Sequence, residues 1–167
     1  MAEALIQSNI NGVSFTGSTQ VGRRIGELAG KNIKKFILEL GGSDPFIVLK
    51  DANLDLACRG AITARFVNAG QSCIAAKKFI IHKDKYTEFS EEIIDLVKEL
   101  KMGDPLEKDT KIGPLVRKEQ LIKLEKQVHN AIKQARLLVG GYRLERKGYF
   151  YMPTVLANAG RNNPIFR

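Results

Sequence analysis

The chain has little of what several classes of protein are built from. Among 167 residues only two are cysteine, Cys58 and Cys73. Two thiols make no disulfide framework, and a reduced, cytoplasmic setting is the expectation. Only two residues are histidine, His82 and His129. Neither has a second histidine at metal-ligand spacing or an acidic cluster nearby in sequence, so no metal is expected. No apolar run approaches the ~20 residues that span a bilayer. The first six residues show neither the basic start nor the apolar stretch of a signal peptide, and no membrane association is expected. Acidic residues are outnumbered, 18 against 27 Lys and Arg, for a formal net charge of +9. Such an excess suits nucleic acid or acidic metabolites. The cations are spread along the chain, however, and Lys118, Lys123, Lys126 and Lys133 fall on polar faces of amphipathic segments. No basic stripe interleaved with aromatics exists, so nucleic acid is not an expected partner. There is no internal repeat and no low-complexity linker.

What is present is an ordinary globular composition, 44% hydrophobic and 27% charged, long enough for one compact core. Residues 10–16 read as a turn and a strand. Gly17, Ser18 and Thr19 follow, then Val21, Ile25, Leu28 and Ala29 on one helical face, with Ser18 or Thr19 as cap. A strand entering a helix through Gly-Ser leaves unpaired N–H groups at a positive dipole end, a place for a phosphate. Many such turns bind nothing, so the pattern alone is weak. Residues 34–39 and 46–49 read as strands around a Gly41–Pro45 turn, and Asp51–Asn53 caps a helix to about Asn68 with Leu54, Ala57, Ala61 and Ala64 inward. Cys58, beside that stripe, reads as a core thiol. A strand at 78–82, a helix at about 85–101, a helix bearing Leu121, Leu124, Val128, Ile132 and Ala135, an apolar run at 137–139 ending in Gly140 and Gly141, and short extended pieces over 149–156 complete the series. Strands alternating with helices predict an α/β fold with a largely parallel sheet.

Two stretches carry chemistry. In Asn68-Ala69-Gly70-Gln71-Ser72-Cys73 a thiol sits between a helix and a strand among small side chains. Thiolate is a strong nucleophile and needs a site that favours it or a base that makes it. Taken alone, such a cysteine is more often a small buried residue. In Glu39-Leu40-Gly41-Gly42-Ser43-Asp44-Pro45 a carboxylate closes an apolar strand ahead of two glycines, which let backbone or ligand approach closely. A strand-end glutamate exposed to water is an equal alternative.

Together ELGGSDP and NAGQSC resemble the signature pair of the aldehyde dehydrogenase superfamily. The likeness continues through Phe15–Gly22, Met102–Pro105, Ile112–Leu115 and Tyr151–Leu156, in the family's order, and the wording of ELGGSDPFIVL and AAKKFII is similar to its succinate-semialdehyde dehydrogenase-like branch. The resemblance implies a three-layer catalytic domain, its largely parallel sheet flanked by helices, over residues 36–167, truncated at its C-terminal end. Residues 1–35 would be a remnant of the dinucleotide-binding domain, its last strand-helix unit. It implies oxidation of an aldehyde to its acid, with succinate semialdehyde or a similar semialdehyde as substrate and NAD or NADP as cofactor. Cys73 would be the nucleophile and form a thioester, and Glu39 the base for its hydrolysis. Gly17, Ser18, Leu40 and Gly41 would contact cofactor, and the full-length protein would be a homo-oligomer. Asn68 and Gln71 are expected to fix the loop by side-chain hydrogen bonds, and Arg65 is a candidate for a substrate carboxylate or a plain solvated arginine. An isolated excerpt is expected to be weak or inactive. The alternatives are an acyl-phosphate or CoA-linked reductase, or a non-catalytic packing domain.

Overall fold

The computed structural model describes residues 2–166; Met1 and Arg167, the ends of the two expected domains, lie outside the described residues. The chain divides into two compact units, Met1–Ser43 and Asp44–Arg167.

The first unit is a strand-helix-strand crossover preceded by a short helix. α1 covers Ala2–Gln7, β1 Gly12–Thr16, α2 Thr19–Lys31 and β2 Lys35–Glu39. β1 and β2 pair in parallel, from Gly12 opposite Lys35 to Thr16 opposite Glu39. Parallel neighbours need a crossover to bring the chain back, and α2 supplies it. Ser18 starts α2 by accepting the Val21 N–H at 3.3 Å, one of the otherwise orphan donors of a helix start. Asn32 stops it, its side chain donating to the Leu28 carbonyl at 2.8 Å. Ile6, Ile25, Leu28 and Ala29 form the small core with Val13, Phe15 and Leu38 against them. The inward stripe differs from the expected one at its first position. Val21 is 47% exposed and Gly22 is buried instead. The reason is Leu40, which lies so close that a Cβ on Gly22 would stand 2.5 Å from its Cδ2. α1 was not legible in the sequence. Only Ile6 of it is buried, and Glu3 ties it to Arg24 at 2.9 Å.

The second unit repeats the crossover. β3 covers Asp44–Val48, α3 Leu54–Phe66 and β4 Ala76–Ile81. β3 and β4 are parallel, with an irregularity between Asp44 and Pro45, where proline has no N–H to give the ladder. Asn53 caps α3 by accepting the Leu56 N–H at 3.0 Å. α4, Tyr86–Lys98, packs on α3. Val48, Leu54, Cys58, Ala61, Phe89, Ile93 and Val97 make the core. α5, Lys118–Ala131, buries Leu121, Val128 and Ala131 and stops before Ile132, which is 38% exposed. β5, Arg136–Val139, and β6, Val155–Ala157, form an antiparallel pair.

The α/β alternation and the parallel pairing are as expected. Among the described residues the strands pair as three two-stranded ladders, two parallel and one antiparallel. The antiparallel partner, β6, is only three residues long, too short to show a period of its own.

Cys58 is a core thiol: fully buried on α3, it is pushed up to about 12 by desolvation first and by Glu92, Asp55 and Glu88 after it. An unfolded thiol ionises near ~8.5. Between these two values the native state keeps a proton that the unfolded chain has lost, so native stability falls as pH rises through that window. The stabilisation is complete below the lower value. Thermal denaturation followed from pH 8.5 to 11 should show an alkaline loss, of up to about 1.4 kcal/mol per pH unit, that disappears in Cys58→Ala. An identical alkaline slope in that variant would show that Cys58 does not hold its proton.

Candidate active site

Leaving α3, the chain turns sharply. Val67 departs from helix (φ −52°, ψ 133°), and Asn68, Ala69 and Gly70 then take φ of 52°, 54° and 74°. Three successive left-handed residues are uncommon. Asn tolerates the conformation and Gly is at home in it, but Ala is not, and each strained non-glycine position costs roughly 1–3 kcal/mol. Such a turn persists only where its surroundings over-determine it.

Two side chains do this. Arg65, in the last turn of α3, donates from Nη1 to the Ala76 carbonyl at 3.1 Å and from Nη2 to the Gly70 carbonyl at 3.0 Å. Gln71 donates from Nε2 to the Asn68 carbonyl at 3.2 Å and accepts the Val116 N–H on Oε1 at 3.1 Å. Its backbone N–H also reaches the Asn68 carbonyl, at 3.1 Å. Cys73 stands between the tied residues, exposed to solvent. Its neighbour Ile74 is 72% exposed, and Ala75 and Ala76 are buried as β4 begins. The thiol thus sits at the accessible crest of a loop whose two feet are fixed. A cleft of about 470 Å³ opens on the Asn68–Ala69 side of the turn, with Lys111, Leu115 and Val116 in its wall.

Gln71 fixes the loop as expected, and Asn68 takes part through its carbonyl. Arg65 is not a plain solvated arginine: it is half-buried against the loop. Its guanidinium is committed to two loop carbonyls, and burial draws its pKa below the ordinary arginine value. The sequence offered only an arginine five residues before a glycine, and sequence cannot show which way a helix-end side chain turns.

In the first unit, Gly17, Ser18, Glu39 and Leu40 come together at one edge. β1 and β2 end side by side, Thr16 opposite Glu39, and the Gly17 N–H donates to the Glu39 carbonyl at 3.0 Å. The Glu39 side chain is exposed at the strand end. Leu40 packs on Gly22, and a Cβ built on Gly41 would meet nothing within 4 Å. The carboxyl ends of parallel strands, with a helix N-terminus beside them, are where α/β folds commonly hold phosphate-bearing ligands. Glu39 belongs to the first unit and Cys73 to the second. Among the described residues no group of three or more His, Cys, Asp or Glu is arranged to hold a metal, and no helix is long and apolar enough to cross a membrane.

Comparison with known proteins gives this geometry its context. The chain is 44% identical over 168 residues to the succinate semialdehyde dehydrogenase [NAD(P)+] Sad of Escherichia coli K12, covering 100% of this chain and 36% of that protein. It is 43% identical over 161 residues to the D-glyceraldehyde dehydrogenase (NADP(+)) of Picrophilus torridus, covering 93% of this chain and 32% of that protein. The solved structure of an Escherichia coli NADP-dependent enzyme superposes with a TM-score of 0.93 at 40% identity, over 98% of this chain and 34% of that one. The chain therefore spans about a third of the length of the curated relatives it matches. The family whose sequence pattern it fits does so over residues 1–167, and the chain belongs to the aldehyde dehydrogenase family.

Proposed function

We propose that this chain is the nucleophile-bearing part of an enzyme that oxidises an aldehyde to its carboxylic acid through a thioester on Cys73. The observation that carries this reading is the exposed Cys73 at the crest of a clamped, strained loop, in a chain of this family. Residues 36–167 are the catalytic part and residues 1–35 the last strand-helix unit of a dinucleotide-binding domain. The full-length enzyme is a cytoplasmic homo-oligomer.

The aldehyde carbon is attacked by Sγ of Cys73, which gives a hemithioacetal. The Cys73 backbone N–H receives the oxyanion. Loss of hydride from that carbon leaves the thioester. Glu39 then takes a proton from water, the hydroxide adds to the thioester, and the sulfur departs as thiolate, a good leaving group. NAD or NADP, when bound, supplies the hydride acceptor. The residues present suit a dinucleotide. Gly17 and Ser18 stand at the start of α2, whose dipole favours a phosphate. Leu40 and Gly41 follow β2, and the open space about Gly41 lets a flat ring approach backbone. The substrate is succinate semialdehyde or a similar semialdehyde, in line with the names of relatives. The net charge of +9 suits an acidic substrate.

In the full-length enzyme, iodoacetamide should label Cys73 and leave Cys58 untouched, and Cys73→Ala should lose turnover. Equal labelling, or turnover without the Cys73 thiol, would remove it from the chemistry. Glu39→Gln should slow turnover by about 10²–10⁴-fold, with one equivalent of reduced dinucleotide released rapidly and acyl-Cys73 visible by mass spectrometry. Undiminished turnover in that variant would instead favour discharge of the thioester to phosphate or CoA. The 167-residue chain by itself should reduce little or no dinucleotide. A second oxyanion donor of the kind the family brings from outside this stretch is worth ~2.7–4 kcal/mol, and steady dinucleotide reduction by the isolated chain would refute this.

A further inference from the structure

The Cys73 loop is closed by one guanidinium. Gly70 and Ala76, the two residues whose carbonyls Arg65 holds, each lie three positions from Cys73, one before it and one after. Nη1 and Nη2 belong to one rigid plane with fixed N–H directions. Binding both carbonyls therefore sets the separation of the loop's feet and joins three elements, the end of α3, the loop and the start of β4. Gly70 completes the fit. At φ 74°, a Cβ on it would stand 2.1 Å from Arg65 Nη2 and 3.1 Å from the Arg65 carbonyl, so a side chain there and the guanidinium exclude each other. Among the described residues no acid is paired with Arg65, and its burial is set against carbonyl bonds alone.

We infer that Arg65 is a positioning residue for the Cys73 nucleophile, acting by forking Gly70 and Ala76 rather than by receiving a substrate carboxylate. This rests on Cys73 being the nucleophile. The loop's shape decides where Sγ stands and where the Cys73 N–H points, and both must meet one carbonyl group at once. A lysine is a point charge on a flexible stem and satisfies one carbonyl at a time. It preserves the charge and loses the geometry.

The test uses the full-length enzyme with Arg65→Met, Arg65→Lys and, as control, Cys73→Ala. The measurements are the pH profile of Cys73 alkylation without substrate, and kcat and KM for succinate semialdehyde and for butanal, which lacks the distal carboxylate. Arg65→Met should lose about 10²-fold in kcat, the scale of a misplacement near 1 Å, equally for both aldehydes and with each KM little changed. Its alkylation profile should shift, and Arg65→Lys should recover only part of the loss. Loss confined to succinate semialdehyde would make Arg65 a carboxylate receptor and overturn the inference. Full recovery in Arg65→Lys would show that charge suffices, which also overturns it, as would wild-type kcat and alkylation in Arg65→Met. Should Arg65→Met fail to fold, the alkylation profile and kcat of Arg65→Lys decide by the same criteria. Turnover in Cys73→Ala would bring down the nucleophile assignment itself, a failure distinct from an inert Arg65 beside an essential Cys73.

Discussion

A parallel strand pair joined by a helix is the constraint on which the rest is built. The crossover must run the length of the ladder and return, so both strands end on one edge and both begin on the other. The chain uses the unit twice, as β1–α2–β2 and as β3–α3–β4. In the first, the shared carboxyl edge gathers Gly17, Ser18, Glu39 and Leu40, which lie more than twenty residues apart in sequence, between Ser18 and Glu39. In the second, the loop that returns from α3 to the start of β4 carries Cys73. Neither group would be assembled by local sequence alone.

The two thiols show what placement does to one functional group. Cys58 is on the inner face of α3, fully buried, with acidic residues around it and its proton held to about 12. Cys73 is fifteen residues on, past the helix end, and exposed. A helix interior could not present a thiol in this way, because its side chains lie along the helix surface and pack there. The left-handed run from Asn68 to Gly70 breaks the helix direction abruptly, and the guanidinium and the Gln71 amide stabilise what the backbone alone would not adopt.

Much of the fold was legible because its signals are local. Ser18 and Asn53 are caps by residue type, and their oxygens accept helix-start N–H groups as that type predicts. Leu54 and Ala61, and Phe89, Ile93 and Val97, follow the helical period and are buried. What was not legible depends on distant partners. Val21 loses its inward place to Gly22 because Leu40, eighteen residues on, takes the space. α1 is held by a single buried isoleucine and an ion pair to Arg24. Val155 and Leu156 of β6 fall in the extended stretch the sequence suggests, but their antiparallel pairing with β5 shows only once Arg136 faces Ala157 across the ladder. At the site, the residue type of Gln71 pointed to a loop tie and the structure shows one, whereas the direction of Arg65 was not legible.

Arg65 also shows why a positioning group is hard to distinguish from a structural one by energy alone. Buried carbonyls must find donors, and the guanidinium supplies one to each foot of the loop. A half-buried cation costs solvation, and among the described residues no acid is paired with it, so its net contribution to stability is small or even unfavourable compared with an apolar group of similar volume. Hydrogen-bond satisfaction would be met equally by two separate donors. What two separate donors cannot do is hold Gly70 and Ala76 at one fixed separation while the backbone between them carries strain. Under the proposed function the use of a guanidinium at this position lies in geometry, because the sulfur and the N–H of Cys73 would then have to face the same carbonyl.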